Sequence, residues 1–195
     1  MHTTPQSPLH QQTSNNIDNS IREYLLVQQL NAAVRAGAAI MKLYKSVDDY
    51  DIALKSDHTP ITIADRLAHN TIKESLGITR IPILSEEGRE MKYEERQHWE
   101  LFWLVDPLDG TVEFIKGNNE FTVNIALMLN NICISAVVYV PYHHKMYIAE
   151  RGRGALVIHD VAPAEEANYS YDDIHTAIEQ LPLASAAHTP YRVAV

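Results

Sequence analysis

The chain has one cysteine, Cys133, in 195 residues. A single thiol excludes an internal disulfide and suits a reducing compartment. Cys133 lies in an apolar run and is expected to be a small buried hydrophobe. A long apolar stretch is equally missing, since nothing approaches the ~18–20 consecutive residues that a membrane span requires. Met1–Asn19 is polar and has no apolar segment of the kind a secretory signal needs, so it is expected to be a disordered leader. Positive charge is the third shortage. The 16 Lys and Arg residues stand against 25 Asp and Glu, a net charge of −9. That balance excludes the basic face on which polymeric nucleic acid binds.

What remains is enough for a core. With 46% hydrophobic residues, residues 20–195 read as one α+β domain. Ser20 and Glu23 have the spacing of a capping box, opening a helix that runs to about Ser46. Its apolar stripe is Leu26, Leu30, Ala33, Val34, Gly37, Ile40, Met41 and Tyr44, with Gly37 allowing close packing. Tyr50–Lys55 predicts an edge strand. Thr62 is the natural N-cap of a second helix, Ile63–Leu76, which Gly77 ends. Asp65 falls at the third helical position, where a capping role alone would account for it.

Ile81–Leu84 predicts a buried strand, and residues 89–100 a solvated connection anchored by Trp99, Phe102 and Trp103. Phe121–Leu129 and Ile132–Val140 are β-rich runs joined by Asn130-Asn131, which suits a type I′ hairpin. Pro141–Lys145 turns the chain into Met146–Glu150, and Arg151–Gly154 turns it again into Ala155–Ile158. Four antiparallel strands in series, behind two helices, are the expected frame. Asp172 and Asp173 predict the start of a helix reaching about Leu181, and Tyr191–Val195 the start of a further strand.

The chemistry gathers around Trp103-Leu104-Val105-Asp106-Pro107-Leu108-Asp109-Gly110-Thr111-Val112-Glu113-Phe114. Three apolar residues end a strand, which should stop at Pro107 because proline has no N–H for the ladder. Asp106 and Asp109 then face the same way across a turn that Gly110 makes possible. Alone, such a pair reads as an Asx-type turn. Two neighbours change the weight: Ile83-Leu84-Ser85-Glu86-Glu87 also ends a strand in carboxylates, and Pro60-Ile61-Thr62-Ile63-Ala64-Asp65 sets an aspartate at a helix start. Like charges gathered in one place call for a bound cation or a shared proton. Hard oxygen ligands, without usable Cys or a spaced His pair, point to Mg²⁺ rather than Zn²⁺.

These motifs resemble the lithium-sensitive, Mg²⁺-dependent phosphomonoesterases typified by inositol monophosphatase. Lys55-Ser56-Asp57-His58-Thr59-Pro60, Glu113-Phe114-Ile115-Lys116 and Glu120–Leu127 are most similar to the bacterial 3'(2'),5'-bisphosphate nucleotidases of sulfate assimilation. The likeness runs from about Ala32 to Gly154 and is most specific over Trp103–Leu127. It implies the N-terminal half of a layered αβαβα sugar-phosphatase fold. Glu86, Asp106 and Asp109, with the Leu108 carbonyl, would be Mg²⁺ ligands, for two or three ions in the complete enzyme. Asp65 and Thr111 would hold and deprotonate the attacking water. Gly110 and Thr111, with Glu86 and Asp109, would meet the substrate phosphate. The implied reaction takes adenosine 3',5'-bisphosphate to AMP and phosphate, with an inositol or sugar phosphate as the alternative substrate. The implied setting is cytoplasmic, with a peripheral seat at the cytoplasmic face of the inner membrane as the alternative. Divalent ions would reconcile an acidic protein with an anionic substrate.

Two departures qualify the resemblance. No Trp-Asp pair occurs, although in the family a W-D-x-x-[AG]-G-type helix completes the metal site. The expectation is therefore a member truncated at its C-terminus, weak or silent as a catalyst, and prone to self-association through an unfinished sheet. The second is Val112, where related nucleotidases often carry Lys beside the phosphate site.

Overall fold

The computed structural model describes residues 17–44, 53–54, 60–176 and 178–181. The expectations for Met1–Asn16, Tyr50–Ile52, Lys55–Thr59 and Tyr191–Val195 lie outside the described residues. The first element, α1 (Asn19–Leu43), has 25 residues. Its cap is Asp18 rather than Ser20: the Asp18 carboxylate accepts the Ser20 N–H at 2.8 Å and the Ser20 hydroxyl at 2.6 Å. A carboxylate at the helix start is the stronger acceptor, so the helix begins inside the stretch expected to be a leader, and Ile17 already packs on the core. The expected stripe is inside, from Leu26 to Tyr44 except for half-buried Met41, but Leu25, Ala32 and Ala36 are buried as well. The helix is enclosed on more than one side because it packs on α2 (Ile63–Gly77), on two central strands, and on the segment near residue 170. Gly37 does allow close approach: a Cβ there would collide with the Tyr139 ring and lie 3.1 Å from Pro141 Cγ.

A two-stranded pair, β1 (Ala53–Leu54) and β2 (Pro60–Ile61), precedes α2. The main sheet has seven strands in chain order: β3 (Ile83–Ser85), β4 (Leu101–Asp109), β5 (Thr122–Leu129), β6 (Ile132–Val140), β7 (Lys145–Glu150), β8 (Gly154–Ile158) and β9 (Ile178–Leu181). A short helix, α3 (Tyr93–Arg96), lies in the charged connection. The meander β5–β8 is the one expected, and Asn130 and Asn131 make its first turn with φ of 50° and 61°. The sheet is wider than four strands because β4 adds antiparallel to β5, β3 in parallel to β4, and β9 antiparallel to β8.

The other differences have local causes. β4 does not stop at Pro107. It pairs Asp106 with Asn124 and then Asp109 with Thr122, so three steps on one strand match two on the other. The proline falls inside this bulge, where no ladder N–H is required. A second bulge separates the pairs Leu127–Ser135 and Met128–Cys133 and leaves Ile134 over. The strand's phase slips there, so Ile134 and Ser135 are both buried while Cys133 is exposed, not buried as expected. Gln29 of α1 serves this bulge, accepting the Ser135 hydroxyl at 2.8 Å and donating to the Ile125 carbonyl. Finally, α5 (Tyr171–Thr176) ends early and gives way to β9. Its start is set by Ser170, whose N–H donates to Asp173 at 2.7 Å while the Asp173 N–H donates back to the serine hydroxyl at 3.3 Å.

The core lies between the long helices and one sheet face, with Trp103, Val105, Val123, Ile125, Leu127, Val137, Tyr139, Met146 and Ile148 all buried. Trp103 also donates its indole N–H to the Thr79 hydroxyl at 3.1 Å. The opposite face is open: Leu104, Val138 and Tyr147 stand exposed there. Among the described residues, no helix is long and apolar enough to cross a membrane.

Candidate active site

Parallel pairing brings the first two carboxylates together. Ile83, Leu84 and Ser85 lie beside Trp103, Leu104 and Val105, so the next residues along, Glu86 and Asp106, come side by side where β3 ends. The Glu86 N–H continues the ladder by donating to the Val105 carbonyl at 3.0 Å. The bulge then carries the chain to Asp109, and Gly110 turns it with φ +90°. No other residue fits at 110, because a Cβ would sit 2.7 Å from the Glu120 carbonyl oxygen. A six-residue helix, α4 (Thr111–Lys116), starts directly after the turn.

The third group arrives from α2. Asp65 is 1% exposed. One oxygen, Oδ2, accepts the Thr62 N–H at 2.7 Å and the Thr62 hydroxyl at 2.6 Å. The other, Oδ1, accepts the Thr111 hydroxyl at 2.9 Å. The capping role and the contact with the strand-end motif thus use different oxygens of one carboxylate, and both are present. The Thr111 hydroxyl also lies 3.2 Å from the Leu108 carbonyl oxygen, a second acceptor for its single proton.

Asp106 is held differently. Burial, then the charges of Glu86 and Asp109, then a hydrogen bond with Glu86 push its carboxyl up to about 7, against the opposing pull of the Leu108 backbone N–H. Its Oδ1 is buried and has no hydrogen-bond partner. An orphaned carboxylate oxygen inside a set of hard oxygen donors is what a divalent cation would complete. Among the described residues, no three His, Cys, Asp or Glu side chains are yet drawn together tightly enough to hold an ion. The donor set, carboxylates and a backbone carbonyl, is nevertheless of the hard-oxygen kind that fits a divalent cation.

Sequence reasoning passed over two further contacts. Asn124 donates through Nδ2 to Asp109 Oδ2 at 3.0 Å, and its own Oδ1 accepts the Thr122 hydroxyl at 3.0 Å. The signal was available: Thr122 and Asn124 share one face of an otherwise apolar strand. His69, one turn beyond Asp65, has Nδ1 2.9 Å from the Ser85 hydroxyl oxygen, next to Glu86. Burial, then Lys73, holds this imidazole below its usual range. Beside the acids the sheet forms an open apolar hollow lined by Leu84, Leu104, Ala126, Ala136 and Val138.

Residues 21–190 match the inositol monophosphatase family. The 3'(2'),5'-bisphosphate nucleotidase CysQ of Shigella flexneri is 47% identical over 131 residues, which is 66% of this chain and 53% of that protein. The nucleotidase of the same name from Buchnera aphidicola is 40% identical over 167 residues, covering 85% of this chain and 60% of that protein. Among solved structures, the crystal structure of CysQ from Bacteroides thetaiotaomicron superimposes with a TM-score of 0.76 at 39% identity, covering 87% of this chain and 62% of that one. The chain thus spans between half and two thirds of the length of these relatives.

Proposed function

We propose, for a chain that belongs to the inositol monophosphatase family, that the strand-end carboxylates and the Asp65–Thr111 pair form the site of a Mg²⁺-dependent phosphomonoesterase. The substrate is adenosine 3',5'-bisphosphate and the products are AMP and phosphate. The observation that carries this reading is the pairing of two unlike environments: a fully hydrogen-bonded Asp65 on the Thr111 hydroxyl, beside an Asp106 whose Oδ1 has no partner. The relatives named as 3'(2'),5'-bisphosphate nucleotidases support the choice of substrate.

Glu86, Asp106, Asp109 and the Leu108 carbonyl would hold Mg²⁺, two or three ions in a complete enzyme. Bound there, the ions supply Lewis acidity that offsets charge on the phosphoryl and leaving oxygens. The chain's own residues do the rest. Asp65 cannot swing away, because Thr62 fixes its Oδ2. Its Oδ1 therefore keeps the Thr111 hydroxyl proton pointed inward. The lone pairs of Thr111 Oγ1 are left to accept a proton from the attacking water, which Asp65 receives through the same hydrogen bond. Gly110 and Thr111 would offer backbone N–H groups to phosphate oxygens, and Glu86 and Asp109 would lie on the phosphate side of the site as holders of the metal. Val112, exposed at this mouth, supplies no charge for the anion.

The remainder of the reading rests on the family resemblance of the sequence motifs: lithium inhibition, a cytoplasmic setting and a place in sulfate assimilation. The open face carrying Leu104, Val138 and Tyr147 supports self-association of the isolated chain. The test is phosphate release from adenosine 3',5'-bisphosphate, inositol 1-phosphate and fructose 1,6-bisphosphate, with and without Mg²⁺. Release is expected to require Mg²⁺, to favour the adenosine compound, and to vanish in Asp109→Asn. Preference is a ratio, so slow turnover is enough to read it. Equal release by Asp109→Asn, or preference for inositol phosphate, contradicts the reading.

A further inference from the structure

Asp109 follows a bulge and precedes a left-handed glycine, two features that loosen a backbone rather than fix it. Its side chain is nevertheless held, from the neighbouring strand. Asn124 stands directly across from Asp106 in the β4–β5 register, and Thr122 stands across from Asp109. The Asn124 amide reaches diagonally to Asp109 Oδ2, at 3.0 Å, and the Thr122 hydroxyl donates to the amide oxygen, also at 3.0 Å. An amide can present either end to a neighbour. The carboxylate can only accept, so the NH₂ end faces it, and the Thr122 hydroxyl braces the oxygen end that this leaves. A carboxylate at 124 would supply no such donor and would add a further negative charge beside Glu86, Asp106 and Asp109.

We infer that Asn124 is a positioning residue for Asp109, with the Thr122 hydroxyl bracing its amide. By occupying Oδ2, Asn124 fixes the rotamer of the carboxylate and leaves Oδ1 as the oxygen that meets a divalent cation. Partners of this kind, one bond removed from a ligand, tune metal affinity because they orient the ligand before the ion arrives. The inference rests on the proposed role of Asp109 as a metal ligand, and its test separates the two.

Terbium luminescence, with Mg²⁺ as competitor, gives the dissociation constant of the protein for the metal alone. Melting is followed in parallel without metal. Asp109→Asn should abolish binding. Asn124→Ala should weaken it by about tenfold or more, with little change in melting midpoint. Thr122→Val keeps the shape but loses the hydroxyl, and should weaken binding by a smaller factor because repulsion from Asp109 still disfavours the flipped amide. Thr122→Ser, which keeps the hydroxyl, should restore the wild-type constant. Unchanged affinity in Asn124→Ala beside lost affinity in Asp109→Asn overturns this inference and leaves the metal site standing. Unchanged affinity in both overturns the metal site itself. Equal weakening in Thr122→Val and Thr122→Ser also overturns the inference, since the hydroxyl would then not be what matters.

Discussion

The start of α2 and the bulged end of β4 each bury a carboxylate oxygen of an aspartate, and the two are treated in opposite ways. Asp65 has both oxygens engaged, by the Thr62 N–H, the Thr62 hydroxyl and the Thr111 hydroxyl. Asp106 has a buried oxygen with no partner and sits beside Glu86 and Asp109, charges of its own sign. The first is a joint that holds the fold together and, through Thr111, holds a hydroxyl in place. The second is under an electrostatic load that the Leu108 backbone N–H offsets only in part. The difference teaches that chain stability and site chemistry are separable here, although the Thr111–Asp65 hydrogen bond joins the two regions.

That separation predicts effects of opposite sign. Asp65→Ala removes a helix cap and leaves two buried donors of Thr62 without acceptors. It should cost about 3–5 kcal/mol, read as a fall of roughly 10 °C in melting midpoint. A loss as small as that of an exposed substitution would mean that Asp65 is no joint. Thr111→Val cuts the hydrogen bond to Asp65 while keeping the side chain's shape. A hydrogen bond to a charged group is worth about 1.5–3 kcal/mol, so urea unfolding should show a loss of that order, and phosphate release should fall with it. Loss of stability with full activity would exclude Thr111 from the chemistry.

Asp106→Asn should go the other way. It removes one of three neighbouring like charges, so the metal-free protein should melt at the same temperature or a few degrees higher at pH 8. A clear fall in melting midpoint would place Asp106 with Asp65 as a structural residue. The smallest effect is on pH dependence. Because the folded-state value of Asp106 is raised from 3.8 to about 7, the native state binds more protons than the unfolded state between those values. Its contribution to stability therefore declines as pH rises from about 4 to about 7 and is level above that. Melting in chelator across this range should show the decline in the wild type relative to Asp106→Asn. Parallel curves would show that Asp106 carries no such load.

The comparison also marks where a sequence can be read. Apolar runs followed by acids were plain at Ser85-Glu86 and Val105-Asp106, and their parallel pairing brings the two acids together. The hairpin at Asn130-Asn131 was equally plain, because few residues accept positive φ there. What stayed hidden depends on partners distant in sequence. Pro107 looks like a stop until the opposite strand shows that it lies in a bulge. Cys133 looks buried until the bulge at Ile134 shifts the strand's phase. β9 exists because β8 offers it an edge, which Ile178–Leu181 alone does not announce. Asn124 is ordinary in sequence and becomes informative only once Asp109 is seen within 3.0 Å of its amide.

The most direct test of the central claim is a melting titration with MgCl₂ at pH 8, run on the wild type and on Asp106→Asn. If the partnerless oxygen of Asp106 is reserved for a divalent cation, the wild-type midpoint rises with concentration. The gain is about 2.7 kcal/mol at one hundred times the dissociation constant, while Asp106→Asn stays flat. Equal rises in both proteins, or none in either while the wild type remains folded, would contradict the account.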